Sequence, residues 1–315
     1  MSTDIKNRKK RNKKQVFLTV IAVIVIGFLA INIIPRPKYS GNNPWIIEEG
    51  DRPMVIVHAG AAKLYPANTI MAFENVTKLD IDVLECDLTL TNDSILITHH
   101  DLTIDGKSNG TGNVRDFTYA ELLEYDFADS FIGINNETYI GHEKAKPETL
   151  ENLFIKYPDM MFLIELKNRG EDGTTAASIL VELINTYQMQ EKVIVASFDD
   201  EVNIKFRELS NETIMTSTPR GETTKFVILE KLRLDLFYWP NHAAFHVPIS
   251  ESLKGIEIHM DTKHFINEAH RHNMAVNFWT VNDKEVMRDL IELGVDGIIT
   301  NRPDIMIELL NEMGY

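Results

Sequence analysis

Val83-Leu84-Glu85-Cys86-Asp87-Leu88-Thr89-Leu90 has the length and aliphatic content of a buried strand, yet it carries two acids. Side chains alternate across a strand, so Glu85 and Asp87 share one face and Cys86 takes the other. Cys86 therefore reads as a small core residue packed under a helix rather than as a nucleophile. Comparable short runs recur at Met54–His58, Ile95–His99, Met160–Lys167, Lys192–Phe198, Thr213–Ser217, Ala244–Pro248, Ala275–Thr280 and Gly297–Thr300. Segments of helical period lie between them, at Thr69–Leu79, Thr149–Lys156, Thr174–Tyr187, Asp200–Leu209, Thr223–Leu232, Thr262–Arg271, Lys284–Leu293 and Pro303–Glu312. Strand then helix, repeated about eight times, predicts an α/β fold with a parallel sheet closed as a (β/α)8 TIM barrel. No Gly-x-Gly-x-x-Gly turn follows a strand, which argues against an open dinucleotide-binding sheet. Residues 102–148 break the rhythm with Gly106, Gly110, Gly112, Gly133 and Gly141, and read as a small inserted cap beside the barrel mouth.

Upstream of the barrel the composition changes sharply. The formal net charge of −15 combines a +8 head over residues 1–38 with a −23 remainder. An acidic body excludes generic nucleic-acid binding, which needs cationic surface. One Cys among 315 residues excludes an internal disulfide framework and a Cys-based zinc site. Val16 to Ile34 is an uncharged run of nineteen residues, about 28 Å long as a helix and close to the ~30 Å hydrocarbon core. Seven cations precede it, whereas only Arg36 and Lys38 follow closely, which orients the N-terminus toward the cytoplasm. A cleaved secretory signal is the alternative, but the run exceeds the usual signal core and lacks a small-x-small cleavage site. The expected organisation is a basic cytoplasmic head (1–15), a transmembrane anchor (16–34), a tether rich in Pro, Gly and Asn (35–53), and an extracellular barrel (54–315).

Active sites of such barrels lie at the C-terminal ends of the strands. There the chain places His58, the Glu85/Asp87 pair, His99-His100-Asp101, and Glu165-Leu166-Lys167. Three carboxylates converging on a mouth repel one another unless a cation sits between them, and oxygen-only ligation suits Mg²⁺ or Ca²⁺. The alternative pairs Lys167 with one acid and leaves the rest to water. His58 and His100 beside the same carboxylates read as a general acid and base, since imidazole holds either protonation state near neutrality. His99 faces opposite to His100, so only one of the two enters the site, and spacing does not choose between them.

The chain resembles the glycerophosphodiester phosphodiesterase family, a metal-dependent TIM-barrel group, from about Asn43 to Glu312. The resemblance is carried by His58-x-Gly60, Pro66-x-Asn68-Thr69-x-x-Ala72-Phe73, Leu84-Glu85-x-Asp87, Thr91-Asn92-Asp93 and His100-Asp101-Leu102-Thr103. It continues through Gly110-Thr111-Gly112-x-Val114, Ile164-Glu165-Leu166-Lys167, Ser197-Phe198, Trp279-Thr280-Val281-Asn282 and Gly294-Val295-Asp296-Gly297-Ile298-Ile299-Thr300. It implies Glu85, Asp87 and Glu165 as ligands of one divalent cation, His58 and His100 as the acid–base pair, and Lys167 as the phosphate-side cation. It also implies hydrolysis of a glycerophosphodiester to an alcohol and glycerol 3-phosphate, with segment 102–148 shaping the substrate cap. Either water or the glycerol's own hydroxyl serves as attacker in this reading. Trp279 is a candidate apolar wall for the substrate, or else barrel packing.

Two positions depart from the family's pattern. His-Arg-Gly becomes His58-Ala59-Gly60, and Pro-Glu-Asn-Thr becomes Pro66-Ala67-Asn68-Thr69. Ala cannot replace the charged fork of a phosphate-binding Arg. Joint loss of an Arg and a Glu fits removal of a linked buried pair. Three readings follow: an active membrane-tethered phosphodiesterase; one shifted toward lysophospholipid or polyglycerol phosphate; or a non-catalytic surface protein that binds phosphoglycerol.

Overall fold

The computed structural model describes residues 13–23, 25–27, 33–48, 50–253 and 255–315. In chain order its strands are β1 (Met54–Val57), β2 (Val83–Leu90), β3 (Leu96–Thr98), β4 (Met161–Leu166), β5 (Val193–Ala196), β6 (Met215–Thr216), β7 (Ala244–Val247), β8 (Ser250–Leu253), β9 (Ile256–His259), β10 (Ala275–Phe278) and β11 (Gly297–Thr300). Eight of them run parallel in the order β6-β5-β4-β2-β1-β11-β10-β7. Beyond β6, Ser217 bridges to Ala244 of β7, and the Thr218 N–H donates to the Ala244 carbonyl at 2.9 Å. The two edges thereby meet and the sheet is a nearly closed barrel, as the strand–helix alternation predicts.

The helices are α1 (Ile70–Val76), α2 (Tyr119–Leu122), α3 (Leu150–Lys156), α4 (Gly170–Thr186), α5 (Asp200–Leu209), α6 (Arg220–Lys231), α7 (Lys263–Arg271), α8 (Lys284–Leu293) and α9 (Pro303–Met313). Helix α8 illustrates the local logic. Asp283 caps its first turn by accepting from the N–H groups of Glu285 and Val286, Gly294 ends it at φ 82°, and Met287, Leu290 and Ile291 bury one stripe. An outer core fills the space between strands and helices, including Leu84, Cys86, Phe162, Leu180, Phe206, Phe245 and Ile298. A smaller inner core of Ile56, Val83, Leu163, Ile194, Met215 and Ile299 fills the barrel itself.

Three features depart from the sequence reading. The run at Ile95–His99 is not a barrel stave: β3 pairs antiparallel with β2, Leu88 facing Thr98. Only five residues separate the two strands, enough for a hairpin and too few for the crossover a parallel partner requires. The β8–β9 hairpin, with Ser250 opposite His259, was not expected, because its polar residues hide the strand signal. The supposed tether is the third. Residues 36–48 pack on the N-terminal end of the barrel, where Trp45 is fully buried beneath the inner core. Asn43 donates to the carbonyls of Ala243 and Asn273 at 2.7 and 2.9 Å, and buried Arg36 pairs with Asp235 and Glu268. Proline and asparagine here satisfy a fixed path across the barrel floor rather than a loose linker.

Residues 102–148 hold a small core of their own, with Ile104, Val114, Leu122 and Phe127 packed on Ile97 of β3. Of the expected anchor 16–34, residues 24 and 28–32 lie outside the described residues, as do residues 1–12 of the basic head; residues 13–23 and 25–27 are helical. Among the described residues no helix is long and apolar enough to cross a membrane.

Candidate active site

Strand β1 delivers His58 and then turns sharply. Ala59, Gly60 and Ala61 take φ values of 48°, 72° and 68°, all in the left-handed region. Gly60 has a second reason to be glycine: a Cβ there would lie 2.7 Å from the Ala72 Cβ of α1. The turn aims the Ala59 N–H at Glu85, whose Oε2 accepts at 2.6 Å. Nδ1 of His58 lies 2.8 Å from Oδ1 of Asn301, and the Asn301 N–H donates to Oδ1 of Asn282 at 2.8 Å.

Register brings the acids together. Parallel pairing of β2 with β4 sets Asp87 directly opposite Glu165, while Glu85 lies two residues earlier on the same face. The three side chains each offer an oxygen within 4.8 Å of the others. Lys167 lies among them, its Nζ donating to Asp87 Oδ1 at 2.8 Å and to Glu165 Oε1 at 2.5 Å. Asn68, itself at φ 56°, braces Asp87 twice: its Nδ2 donates to Asp87 Oδ2 at 2.8 Å, and its Oδ1 accepts from the Asp87 N–H at 3.3 Å.

The electrostatics follow from burial and this pairing. Burial, reinforced by the Asp87 charge, pushes the Glu85 carboxyl well above its usual range, and the Ala59 N–H offsets only part. Burial also raises Glu165, against the pull of Lys167. Asp87 goes the other way: burial opposes ionisation there, but Lys167, His100 and Asn68 outweigh it and hold the carboxyl low. The same acids outweigh the effect of burial on Lys167 and raise it. One ammonium thus balances two of three carboxylates, leaving Glu85 with a backbone N–H. An all-oxygen, crowded and under-compensated set of this kind fits a hard divalent cation.

Structure resolves the histidine choice. His99 is buried with Nε2 2.9 Å from the Thr103 carbonyl, whereas His100 opens to the cleft and its Nδ1 lies 2.7 Å from Asp101 Oδ1. Cys86 is fully buried in the outer core, and burial pushes its thiol well up, which suits packing rather than attack. A cleft of about 600 Å³ collects His58, Glu85, His100, Glu165, Lys167 and Trp279. Trp279 stands edge-on to Phe198, ring centroids 6.2 Å apart, and Lys167 Nζ lies 5.9 Å from the Phe198 centroid. The far wall is made by Ser217, Thr218, Arg220, His246, Glu251 and Met260. Arg220, at the start of α6, pairs with Glu251 of β8, so the hairpin forms that rim. No lining residue comes from 102–148, the segment expected to cap the substrate.

Sequence reasoning did not single out Asn301, Arg220 or the hairpin. Asn282 and Asn68 stood inside its motifs without a role, and Phe198 likewise. Of the two positions that depart from the family's pattern, Ala59 is buried and Ala67 exposed, and the Asn68 N–H donates to the Ala59 carbonyl at 2.8 Å. The two positions are on neighbouring loops, but a pair placed there would not be fully buried.

Ionisable groups gathered at the C-terminal ends of parallel strands place the chain among TIM-barrel enzymes. The sequence model of the Glycerophosphoryl diester phosphodiesterase family matches residues 58–305, and the chain belongs to that family of phosphodiesterases. A glycerophosphodiester phosphodiesterase from Caldanaerobacter subterraneus subsp. tengcongensis is 30% identical over 265 residues, covering 84% of this chain and 100% of the relative. The glycerophosphoryl diester phosphodiesterase domain of a Mycobacterium tuberculosis protein superposes with a TM-score of 0.70 at 15% identity, covering 83% of this chain and 100% of that one. An Oleispira antarctica phosphodiesterase, solved in complex with the product sn-glycerol-3-phosphate, superposes with a TM-score of 0.64 at 19% identity, covering 82% and 97%.

Proposed function

We propose that the protein hydrolyses glycerophosphodiesters to an alcohol and glycerol 3-phosphate, with Glu85, Asp87 and Glu165 holding one Ca²⁺ or Mg²⁺. The observation that carries this reading is the convergence of three carboxylates within 4.8 Å in a cleft also lined by His58 and His100. The product bound to the Oleispira antarctica phosphodiesterase supports the substrate class. When bound, the cation supplies positive charge that stabilises the negative charge developing on phosphate.

The chain's own groups do the rest. Asn301 and Asp101 engage Nδ1 of His58 and His100, which leaves each Nε2 for proton transfer at the cleft. One ring takes the proton from the attacking oxygen, of water or of the glycerol's own hydroxyl, as the new P–O bond forms, and the other gives a proton to the departing alkoxide as the old bond breaks; where the glycerol hydroxyl attacks, water then opens the cyclic phosphate to glycerol 3-phosphate. Lys167 stands beside the acids to meet a phosphate oxygen, and Trp279 with Phe198 walls the alcohol side. The run 16–34 is read as a single-pass anchor that keeps the N-terminus cytoplasmic and the barrel extracellular.

Glycerol 3-phosphate release from glycerophosphocholine tests the activity, measured on the full chain with Ca²⁺, with Mg²⁺ and with chelator. Release restored by one of the ions after chelation is the expected result. Absence of release with metal binding retained assigns the protein to the non-catalytic, phosphoglycerol-binding reading that the missing Arg at position 59 favours. Turnover of lysophospholipid or polyglycerol phosphate in place of glycerophosphocholine assigns the shifted substrate. Release indifferent to chelator removes the metal from the mechanism.

A further inference from the structure

The floor of the barrel carries a feature that the catalytic reading leaves unused. Leu232, Phe237 and Trp239 are 61%, 60% and 71% exposed, on the segment that joins α6 to β7. Their outward aim is built in. Tyr238 is fully buried in extended backbone, its ring 5.0 Å from Phe226 and 5.6 Å from His272, so the residues on either side of it point to solvent. Lys231 and Arg233 flank Leu232 and are exposed, as is Lys38.

This patch adjoins the place where the N-terminal segment meets the barrel. Asp235, three residues past Leu232, holds Arg36, and Nδ1 of His272 lies 2.6 Å from the Pro37 carbonyl. Only Pro35 separates Arg36 from the end of the apolar run at Ile34. Two residues of chain span at most about 7 Å, so a membrane-embedded run would bring this floor to the bilayer surface. Exposed Trp and Phe beside Lys and Arg have the chemistry of groups that settle at a lipid headgroup interface.

We propose that the barrel floor docks on the membrane surface through Leu232, Phe237 and Trp239, with the catalytic mouth turned away from the bilayer. The proposal rests on the anchor reading above. Helix α4 has seventeen residues and spans the wall from mouth to floor, which sets the mouth about 25 Å above the docked end. A diester whose acyl chain stays in the same leaflet lies at the wrong end of the barrel. The substrate this placement favours is a glycerophosphodiester reaching the mouth through water, either a free molecule or a polyglycerol phosphate chain.

The three tryptophans report on this directly. Trp45 is sealed in the floor of the inner core, Trp239 stands on the docking patch, and Trp279 lines the mouth. The full chain is reconstituted into phosphatidylglycerol-containing vesicles with brominated acyl chains, and tryptophan quenching is compared with Trp239→Phe. Strong quenching in the parent, mostly lost in Trp239→Phe, is the expected result. Quenching unchanged by the substitution traces to Trp279 and overturns the orientation; so does absence of quenching in chains that co-float with the vesicles. Chains that fail to co-float overturn the anchor reading itself, and the docking with it. A dimer in detergent that Phe237→Ser with Trp239→Ser dissociates assigns the patch to a second copy instead. Vesicle-embedded lysophospholipid and soluble glycerophosphocholine, each given to the reconstituted chain, separate the two substrate sources; preferential turnover of the embedded lipid counts against the proposal.

Discussion

The backbone N–H of Ala59 donates to Oε2 of Glu85 at 2.6 Å, and Ala59 reaches that position only by adopting φ 48°. A left-handed turn of a non-glycine residue thus orients a candidate metal ligand. Ala59→Gly removes a Cβ cost of about 1 kcal/mol and is expected to raise stability slightly in urea unfolding. Ala59→Pro deletes the N–H and forces φ to about −65°, so a loss of about 3 kcal/mol or more is expected. Equal stability of the two variants would contradict this account of the turn.

Ala59 and Ala67 are also predicted to couple weakly. Position 67 is exposed, so an Arg–Glu pair restored there resembles a surface pair, worth up to about 1 kcal/mol. A double-mutant cycle on Ala59→Arg and Ala67→Glu measures it, and a coupling of several kcal/mol would point to a buried pair after all.

Asn68 holds Asp87 by two hydrogen bonds, one to its carboxylate and one from its N–H. Asn68→Ala is expected to lower divalent-metal affinity by about 10- to 100-fold, read by calorimetric titration with Ca²⁺ and with Mg²⁺. Unchanged affinity would mean that Lys167 and the backbone already fix the carboxylate.

Arg220 lines the cleft with a guanidinium, whereas position 59, an Ala outside that lining, supplies none. Arg220→Ala is expected to raise KM for glycerophosphocholine about tenfold with kcat little changed, the signature of an interaction made equally in ground and transition states. A fall in kcat at constant KM would instead place Arg220 on the developing charge.

His242 carries a pH signature. Burial, with Arg207 adding to it, pushes the ring down to about 3. Its unfolded value is about 6.5, so the unfolded chain binds the proton first as the medium acidifies. The stabilising contribution is whole above that value and is lost as pH falls from about 6.5 toward 3, at up to about 1.4 kcal/mol per pH unit. His242→Gln is expected to flatten the urea-derived stability profile over that window. His246, held down to about 3 by burial, adds a parallel slope that remains in the variant.

The N-terminal segment belongs to the fold. Arg36→Ala breaks the buried pair with Asp235, leaving that carboxylate, among the described residues, only His272 beside it as a possible cation, and Trp45→Ala empties the barrel floor; each is expected to cost about 3–5 kcal/mol. Values below about 1 kcal/mol would return residues 35–48 to the status of a tether.

Local chemistry made much of the molecule legible. Period-two and period-3.6 patterns located the eight staves and the principal helices to within a few residues. The motif acids were identifiable because carboxylates at Glu85, Asp87 and Glu165 contradict the apolar strands that hold them. The chain's own residues also marked His58 and the His99-His100 pair at strand ends, without choosing between the two neighbours. Residues 35–53 misled because proline and glycine mark both a loose linker and an irregular segment held by partners distant in sequence. Segment 102–148 was marked by its glycine content, which reports irregular backbone and not which side of the mouth it covers.

What the sequence alone determined is therefore the barrel class, the family, and the types of group that gather at its mouth. Tertiary structure decided which of them meet. The β2–β4 register set Asp87 against Glu165 and drew Lys167 between them; β3 turned back on β2 and buried His99 while leaving His100 at the cleft. Barrel closure placed Arg220 and the β8–β9 hairpin on the far rim, and carried Trp45 under the floor. The physical reason is common to all of them. Periodicity is written in neighbouring residues, whereas register, closure and long-range ion pairing depend on packing between segments many residues apart.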